Sequence, residues 1–170
     1  MTLVFIDTET TGLDPTRHEV WEIAYAVDDA PIMSGVLWHS LRNADPHALS
    51  LNGYWERTAG VDARFCSDLE VGARRALEGA TLVGANPAFD AAFLRARWGD
   101  VFWHHRLWDV EAYAAGVLGL DKLAGLKGVA AALCDMGHEI PEPDHSAAAD
   151  VATLRASFRA LQAIARQEPS

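Results

Sequence analysis

One stretch near the N-terminus, residues 3–13, constrains the fold more than any other. Residues 3–7 are an apolar run that predicts a central strand buried on both faces, and the run ends at Asp7 with Glu9 two positions later. Side chains two apart on a strand share a face, so these carboxylates repel each other unless a cation lies between them. The hydroxyl- and glycine-rich turn 10–13 follows and can offer backbone N–H groups to a ligand. The stretch therefore predicts a strand that leads into a cation site.

The remaining hydrophobic patterns predict strands and helices in an α/β arrangement. Strands are expected at 19–28, 32–38, 80–85 and within 101–108, the first two joined as a hairpin. Helices are expected within 43–60 and at 67–77, 110–118, 126–134 and 145–167, with another that Pro87 begins. Asn86, just before that proline, is expected to cap its helix. Because no repeat or linker interrupts the chain, we expect one domain over residues 1–170.

Composition limits the class of protein. The chain has 170 residues, half of them hydrophobic, which suits one folded domain. It contains no apolar run of about 18 residues, so we expect no membrane span, and the N-terminus has no signal-peptide pattern. The two cysteines, Cys66 and Cys134, are far apart and form no paired motif. These features favour a cytoplasmic protein with reduced thiols.

The chain is strongly acidic, with 24 acidic against 14 basic residues and a formal charge of −10. Such a charge argues against a broad surface that binds polyanions. Divalent cations on several carboxylates would offset only part of it. Any contact with nucleic acid is therefore expected to be short and centred on a metal site.

Three further polar residues could complete that site. Asp90 lies in the first turn of the helix that follows the fourth strand, where the helix dipole alone could explain an acid. His145 and Asp150 are five residues apart and could not share one face if both lay mid-helix. His145, however, follows a loop stiffened by prolines, so the two side chains can converge. The small residues 146–149 between them leave room for a ligand.

Taken together, the motifs at 5–13, 84–90 and 145–150 make the chain resemble the DEDD (DnaQ-like) 3′–5′ exonuclease superfamily, in its DEDDh branch. The resemblance implies an α/β, ribonuclease H-like fold with a mixed sheet of about five strands flanked by helices. It implies hydrolysis of nucleic acid, in the first place single-stranded DNA, from the 3′ end to nucleoside 5′-monophosphates. The segment 43–68 matches no one subfamily.

The same resemblance implies a role for each polar residue. Two Mg²⁺ ions, with Mn²⁺ as a substitute, would stabilise the attacking and leaving oxygens of the phosphodiester. Asp7 would bridge both ions, Glu9 and Asp150 would complete the first, and Asp90 would act more weakly through water. His145 would be the general base, since the ordinary pKa of histidine, about 6.5, suits proton removal near neutral pH.

Substrate contacts are expected mainly from the turn after Glu9. Its backbone would bind the 3′-hydroxyl, and Leu13 would pack against the terminal base. Phe89 is a second packing candidate or a core residue of its helix, and Tyr54 and Trp55 are candidates for base stacking. The tryptophans at 21, 98, 103 and 108 are expected in the core. The full set of expected substrate residues is Thr8, Thr10, Thr11, Gly12, Leu13, Tyr54, Trp55, Asn86 and Phe89.

Two other functions stay open at this point. The chain could trim RNA or degrade oligoribonucleotides, since sugar preference depends on contacts to the 2′ position. It could also be a nucleic-acid-binding module that has lost catalysis, although all five expected polar residues are present. Expected partners are 3′ ends of single-stranded nucleic acid, with a polymerase or a second copy of the chain as further candidates.

Overall fold

In the computed structural model, which describes residues 2–61 and 67–167, five strands form one mixed sheet in the order β3-β2-β1-β4-β5. The central strand β1 pairs antiparallel with β2 and parallel with β4. The predicted α/β fold with a mixed five-stranded sheet is therefore confirmed. The strands are β1 (Leu3–Thr10), β2 (Val20–Val27), β3 (Met33–Val36), β4 (Thr81–Gly84) and β5 (Trp108–Asp109).

Seven helices accompany the sheet in this part of the chain. Two short ones fill the segment between β3 and residue 60, and the other five flank the sheet. None of the helices among the described residues combines the length and apolar character needed to cross a bilayer. The helices are α1 (Pro46–Leu51), α2 (Tyr54–Thr58), α3 (Ser67–Leu77), α4 (Pro87–Trp98), α5 (Val110–Leu118), α6 (Gly125–Asp135) and α7 (Ala147–Gln167).

Alternate residues of β1 enter two separate hydrophobic layers. Phe5 faces α5, α6 and α7 and meets Phe158 of α7 edge to face, with ring centroids 5.5 Å apart. Val4 and Ile6 face the other way and pack with residues of α3 and α4 such as Phe93. Full burial of a side chain of this size contributes about 1.5–3 kcal/mol. Burial on both faces fixes β1 at the centre of the fold, and with it the carboxylates that β1 carries.

Several boundaries differ from those predicted. β1 extends to Thr10 because its pairing with β2 continues to Val20, with an irregularity after Glu9, so both carboxylates lie within the strand. The short strand expected within 101–108 is β5, which contains two residues and begins only at the last position of that range. Of the four tryptophans expected in the core, Trp21 and Trp103 are buried, whereas those at 98 and 108 are half-buried.

The predicted N-cap of α4 is confirmed in position but makes no capping hydrogen bond. Asn86 does precede the helix, but its backbone is left-handed, with φ 57° and ψ 54°, and its side chain makes no capping hydrogen bond. A side-chain cap normally requires an extended backbone at this residue. The left-handed conformation turns the exposed Asn86 away from the first amides of α4, and the N–H of Phe89 bonds to the Asn86 carbonyl instead.

Candidate active site

Three carboxylates meet at the C-terminal half of β1. Asp7 and Glu9 point to the same face of the strand, and Asp150 reaches them from the first turn of α7, which packs over that face. One ligand atom from each of the three lies within 4.8 Å of the other two. The partner of Asp7 on β2 is Ala24, whose small side chain leaves space beside the carboxylate. Strand pairing and helix packing thus bring together three residues that the sequence had indicated.

Asp90 approaches from the other layer of the fold. It lies in the first turn of α4, is 3% exposed, and accepts a hydrogen bond of 2.7 Å from the Thr8 hydroxyl. Thr8 points away from its two neighbours on β1, so this bond ties α4 to the opposite face of the same strand. The Asp90 charge still reaches Asp7 and raises the pKa of that carboxyl. The predicted weaker contact of Asp90 with a metal stays a prediction.

The four carboxyl groups are held in an environment that disfavours their charged forms. Burial, followed by repulsion from Asp90, Glu9 and Asp150, raises the pKa of Asp7 well above its usual value. Burial also raises the pKa of Glu9 to about 7 and raises the pKa values of Asp90 and Asp150. A divalent cation would remove this penalty, and carboxylate oxygens are the ligands that Mg²⁺ prefers. The donor set therefore fits a divalent metal site.

Two residues from the segment 43–68, which matched no one subfamily, contribute to the site. Arg57 of α2 lowers the pKa values of Asp7 and Glu9 through its charge, although burial of each acid outweighs this effect. Asn52 is buried, donates to the Thr10 carbonyl at 3.2 Å and lowers the pKa of Glu9 by a hydrogen bond. Asn52 is followed by glycine, a pair typical of turns, so the sequence gives no sign that its side chain serves the site.

A third residue that the sequence analysis did not predict, Glu22, stands out in the sequence by its charge. It is an acid in the otherwise apolar β2 strand, VWEIAYAV, and it pairs directly with Glu9 across the sheet. Like charges in directly opposite positions destabilise a sheet unless a counter-charge is close. Arg57 supplies that charge through an ion pair with Glu22.

His145 lies two residues before α7, beside the carboxylate that it was expected to join. Its charge lowers the pKa of Asp150, although burial remains the larger influence on that acid. The side chain is exposed and the backbone is left-handed, with φ 62°. The neighbouring Asp144 N–H donates to Asp150 Oδ1 at 3.2 Å, so the loop folds around the carboxylate. His145 is therefore close enough to influence Asp150 by its charge, while its approach to the carboxylate cluster and its role as base stay predictions.

The turn 10–13 is held together by its own threonines. The Thr10 hydroxyl donates to the Gly12 carbonyl at 2.6 Å, and the Thr11 hydroxyl accepts the Glu19 N–H at 2.9 Å. The Thr11 N–H donates to the Glu19 carbonyl. The predicted backbone contact with a 3′-hydroxyl would therefore fall to Gly12 and Leu13. A Cβ on Gly12 would lie 2.6 Å from the His18 ring, which explains the glycine.

The hydrophobic substrate candidates differ in exposure. Leu13 is 77% exposed and Trp55 is 60% exposed, so both can meet a base. Phe89 is half-buried and packs 4.8 Å from the Phe93 ring, centroid to centroid. The structure does not favour Tyr54 as a stacking residue, because it is buried against Trp21 and its hydroxyl lies 2.6 Å from His39 Nε2. It stabilises α2 and presents no free ring face to a base.

Comparison with solved structures supports the fold. Exonuclease I superposes with a TM-score of 0.71 at 19% identity, covering 95% of this chain and 41% of that protein. E. coli exonuclease I in complex with a 5cy-dT13 oligonucleotide gives a TM-score of 0.63 at 18% identity, covering 98% and 40%. NrnC of Brucella melitensis, bound to pGG, gives 0.56 at 19% identity, covering 97% and 74%. The chain thus spans about two fifths of the length of exonuclease I.

Comparison with protein families is more specific. No curated protein matches the chain. The sequence pattern of the exonuclease family RNase_T matches residues 4–158, which include Asp7, Glu9, Asp90, His145 and Asp150. The chain therefore belongs to the exonuclease family RNase_T, within the DEDD-type 3′–5′ exonuclease superfamily.

Proposed function

We propose that this chain is a metal-dependent 3′–5′ exonuclease that removes nucleoside 5′-monophosphates from single-stranded DNA. The observation that carries the proposal is the cluster of Asp7, Glu9 and Asp150, whose ligand atoms lie within 4.8 Å of one another in a chain of the exonuclease family. The complex of E. coli exonuclease I with a dT13 oligonucleotide supports DNA as the first substrate to test.

The residues of the site would divide the reaction among them. Two divalent cations, when bound, would stabilise the charge that develops on the attacking and leaving oxygens. Asp7 would hold both, Glu9 and Asp150 would hold the first, and Asp90 would contribute through water. His145 would take the proton from the attacking water, since its side chain is exposed and its charge reaches Asp150. Leu13, on its rigid turn, would pack against the terminal base.

A second substrate class is favoured by one observation. The fold also superposes on NrnC, which was solved bound to pGG, and this likeness supports short oligonucleotides as a second class of substrate to test. Degradation of short oligoribonucleotides is therefore the alternative function. A catalytically inactive module is less well supported, because a site without metal would keep the repulsion among its carboxylates unrelieved.

An assay with three labelled substrates tests the proposal. Single-stranded DNA, duplex DNA and RNA of equal length, each labelled at the 5′ end, are incubated with Mg²⁺ and resolved on a sequencing gel. We expect a ladder that shortens from the 3′ end on single-stranded DNA, and loss of that ladder with EDTA or with Asp7→Ala. The exposed Asp121, in the connection between α5 and α6, offers a matched control as Asp121→Ala. Hydrolysis of none of the substrates, or full activity of Asp7→Ala, would refute the proposal, and faster cleavage of RNA would favour the alternative.

A further inference from the structure

Arg57 makes an unusual set of contacts for a residue of a one-turn helix. Its Nη1 donates to the carbonyl of Asn52 at 3.0 Å and to the carbonyl of His145 at 2.6 Å. Its Nη2 forms an ion pair with Glu22, and its guanidinium lies 5.0 Å from the centre of the Trp21 ring. One side chain therefore connects α2, β2 and the loop that precedes α7.

Glu22, the partner of Arg57 on β2, contacts that loop as well. Glu22 Oε2 accepts the N–H of Ala147, the first residue of α7, at 3.3 Å. Both side chains are largely buried, with 23% of Arg57 and 12% of Glu22 exposed. The Arg57–Glu22 pair thus holds the backbone at two points, one at His145 and one two residues further on.

The backbone at His145 needs such support. A left-handed conformation at a residue other than glycine costs about 1–2 kcal/mol and persists only where neighbouring contacts enforce it. His145 has φ 62°, and its side chain is exposed, so hydrophobic packing cannot enforce this conformation. Two kinds of contact can enforce it: the bond from Arg57 to the His145 carbonyl, and the bond from the Ser146 N–H to Asp144 Oδ1, which spans His145. Of these, the Arg57 bond is the one that reaches His145 from outside the loop.

We propose that Arg57 is a positioning residue for His145, acting through the His145 carbonyl and anchored by Glu22 and Trp21. The planar guanidinium suits this arrangement, because it can donate in two directions and stack on an aromatic ring at once. A lysine at this position could satisfy one of the acceptors but could not stack in the same way. The catalytic part of this inference rests on the proposed function, whereas the anchoring part does not.

The competing interpretation is that Arg57 is only a structural ion pair. A structural pair would affect overall stability and would lower activity independently of His145. A positioning residue would instead lower turnover through His145 and leave substrate affinity nearly unchanged. The two interpretations therefore predict different changes in kcat and KM and a different result in a double-mutant cycle.

The test compares Arg57→Gln and Arg57→Lys with Arg155→Gln as a matched control. Arg155 also donates to a backbone carbonyl, that of Ala30 at 2.7 Å, but on a different part of the surface. Hydrogen exchange of the amides at 144–149 is measured without metal, together with the melting temperature. We expect exchange about 10-fold faster there in Arg57→Gln, with little change in α5, an intermediate effect in Arg57→Lys and none in Arg155→Gln.

Kinetics on single-stranded DNA provide the second readout. We expect Arg57→Gln to lower kcat by about 10- to 100-fold, as for a reacting group displaced by about 1 Å, with KM changed less than about threefold. In a His145→Ala background the same substitution should lower kcat by less than about threefold. Fully additive losses, a change in KM alone or unchanged exchange at 144–149 would overturn the inference. If the wild-type chain hydrolyses no substrate, the proposed function fails, and the exchange measurement alone still decides whether Arg57 anchors this loop.

Discussion

Replacing Glu9 by glutamine should make the metal-free protein more stable at alkaline pH. Burial raises the pKa of Glu9 from 4.5 to about 7, against the opposing effects of Arg57 and a hydrogen bond from Asn52. An unfolded chain loses this proton near pH 4.5, whereas the folded chain holds it until about pH 7. Because the folded state binds the proton more tightly, the contribution of Glu9 to stability is full below pH 4.5 and is lost as the pH rises to 7.

The size of the effect follows from the two pKa values. A separation of about 2.5 pH units corresponds to about 3.5 kcal/mol, at about 1.4 kcal/mol per unit. Glutamine keeps the shape of the side chain and removes its charge, but burial of its amide group offsets about 1 kcal/mol. The net gain at pH 8 is therefore about 2.5 kcal/mol, which corresponds to about 5–10 °C in melting temperature for a domain of this size. At pH 5 the gain should nearly vanish.

Urea denaturation in EDTA at pH 5, 6.5 and 8 measures this difference directly. Addition of Mg²⁺ at pH 8 should raise the stability of the wild-type protein and should raise that of Glu9→Gln much less, because one ligand is missing. A matched control is Glu139→Gln, which removes an exposed carboxylate outside the site. Equal stability of Glu9→Gln and wild type at pH 8, or a difference that does not depend on pH, would refute the reasoning.

Three further predictions concern activity and metal affinity. His145→Ala should keep metal binding, measured by calorimetry, but lose about 10²- to 10⁴-fold in turnover, and near-normal rates at pH 7.5 would contradict its role as base. Thr8→Val should remove the 2.7 Å hydrogen bond to Asp90 and thereby raise the pKa of Asp90 further. The Mg²⁺ concentration needed for half-maximal activity should then increase. An unchanged dependence on Mg²⁺ would show that Asp90 acts without Thr8. Leu13→Ala should raise KM for single-stranded DNA with little change in kcat for the chemical step, and an unaltered KM would exclude a base contact there.

The sequence predicted the site best where one local pattern fixed both the backbone and the chemistry. An apolar strand that carries Asp7 and Glu9 two residues apart places both on one face whatever the rest of the fold does. Likewise, a loop that ends just before a helix lets His145 lie near Asp150, and the charge of His145 lowers the pKa of that carboxyl. These relationships depend on spacing within a few residues, which the sequence states directly.

The sequence failed where a side chain acts across long separations. Arg57 reaches a carbonyl 88 residues away, and no periodicity in 43–60 indicates that contact. Tyr54 follows a glycine in an irregular segment and is a candidate for base stacking on that ground, yet it is buried against Trp21 of β2. Asn86 has the residue type of a cap but not the backbone of one, because the turn from β4 into α4 is left-handed at that point. Each error reflects tertiary packing that overrides a local preference.

The arrangement around β1 explains why so short a segment can organise the whole site. Asp7 and Glu9 face the layer of α7, which supplies Asp150, while Thr8 between them faces the layer of α4 and holds Asp90. The alternation of a single strand therefore gathers carboxylates from both sides of the sheet, and burial on both sides raises their pKa values together. Because the hydrophobic layers fix β1 from both faces, the carboxylates cannot separate to relieve their repulsion. Protonation relieves the repulsion at low pH, and above about pH 7 a bound cation would relieve it, so the same packing that stabilises the fold prepares the site for metal.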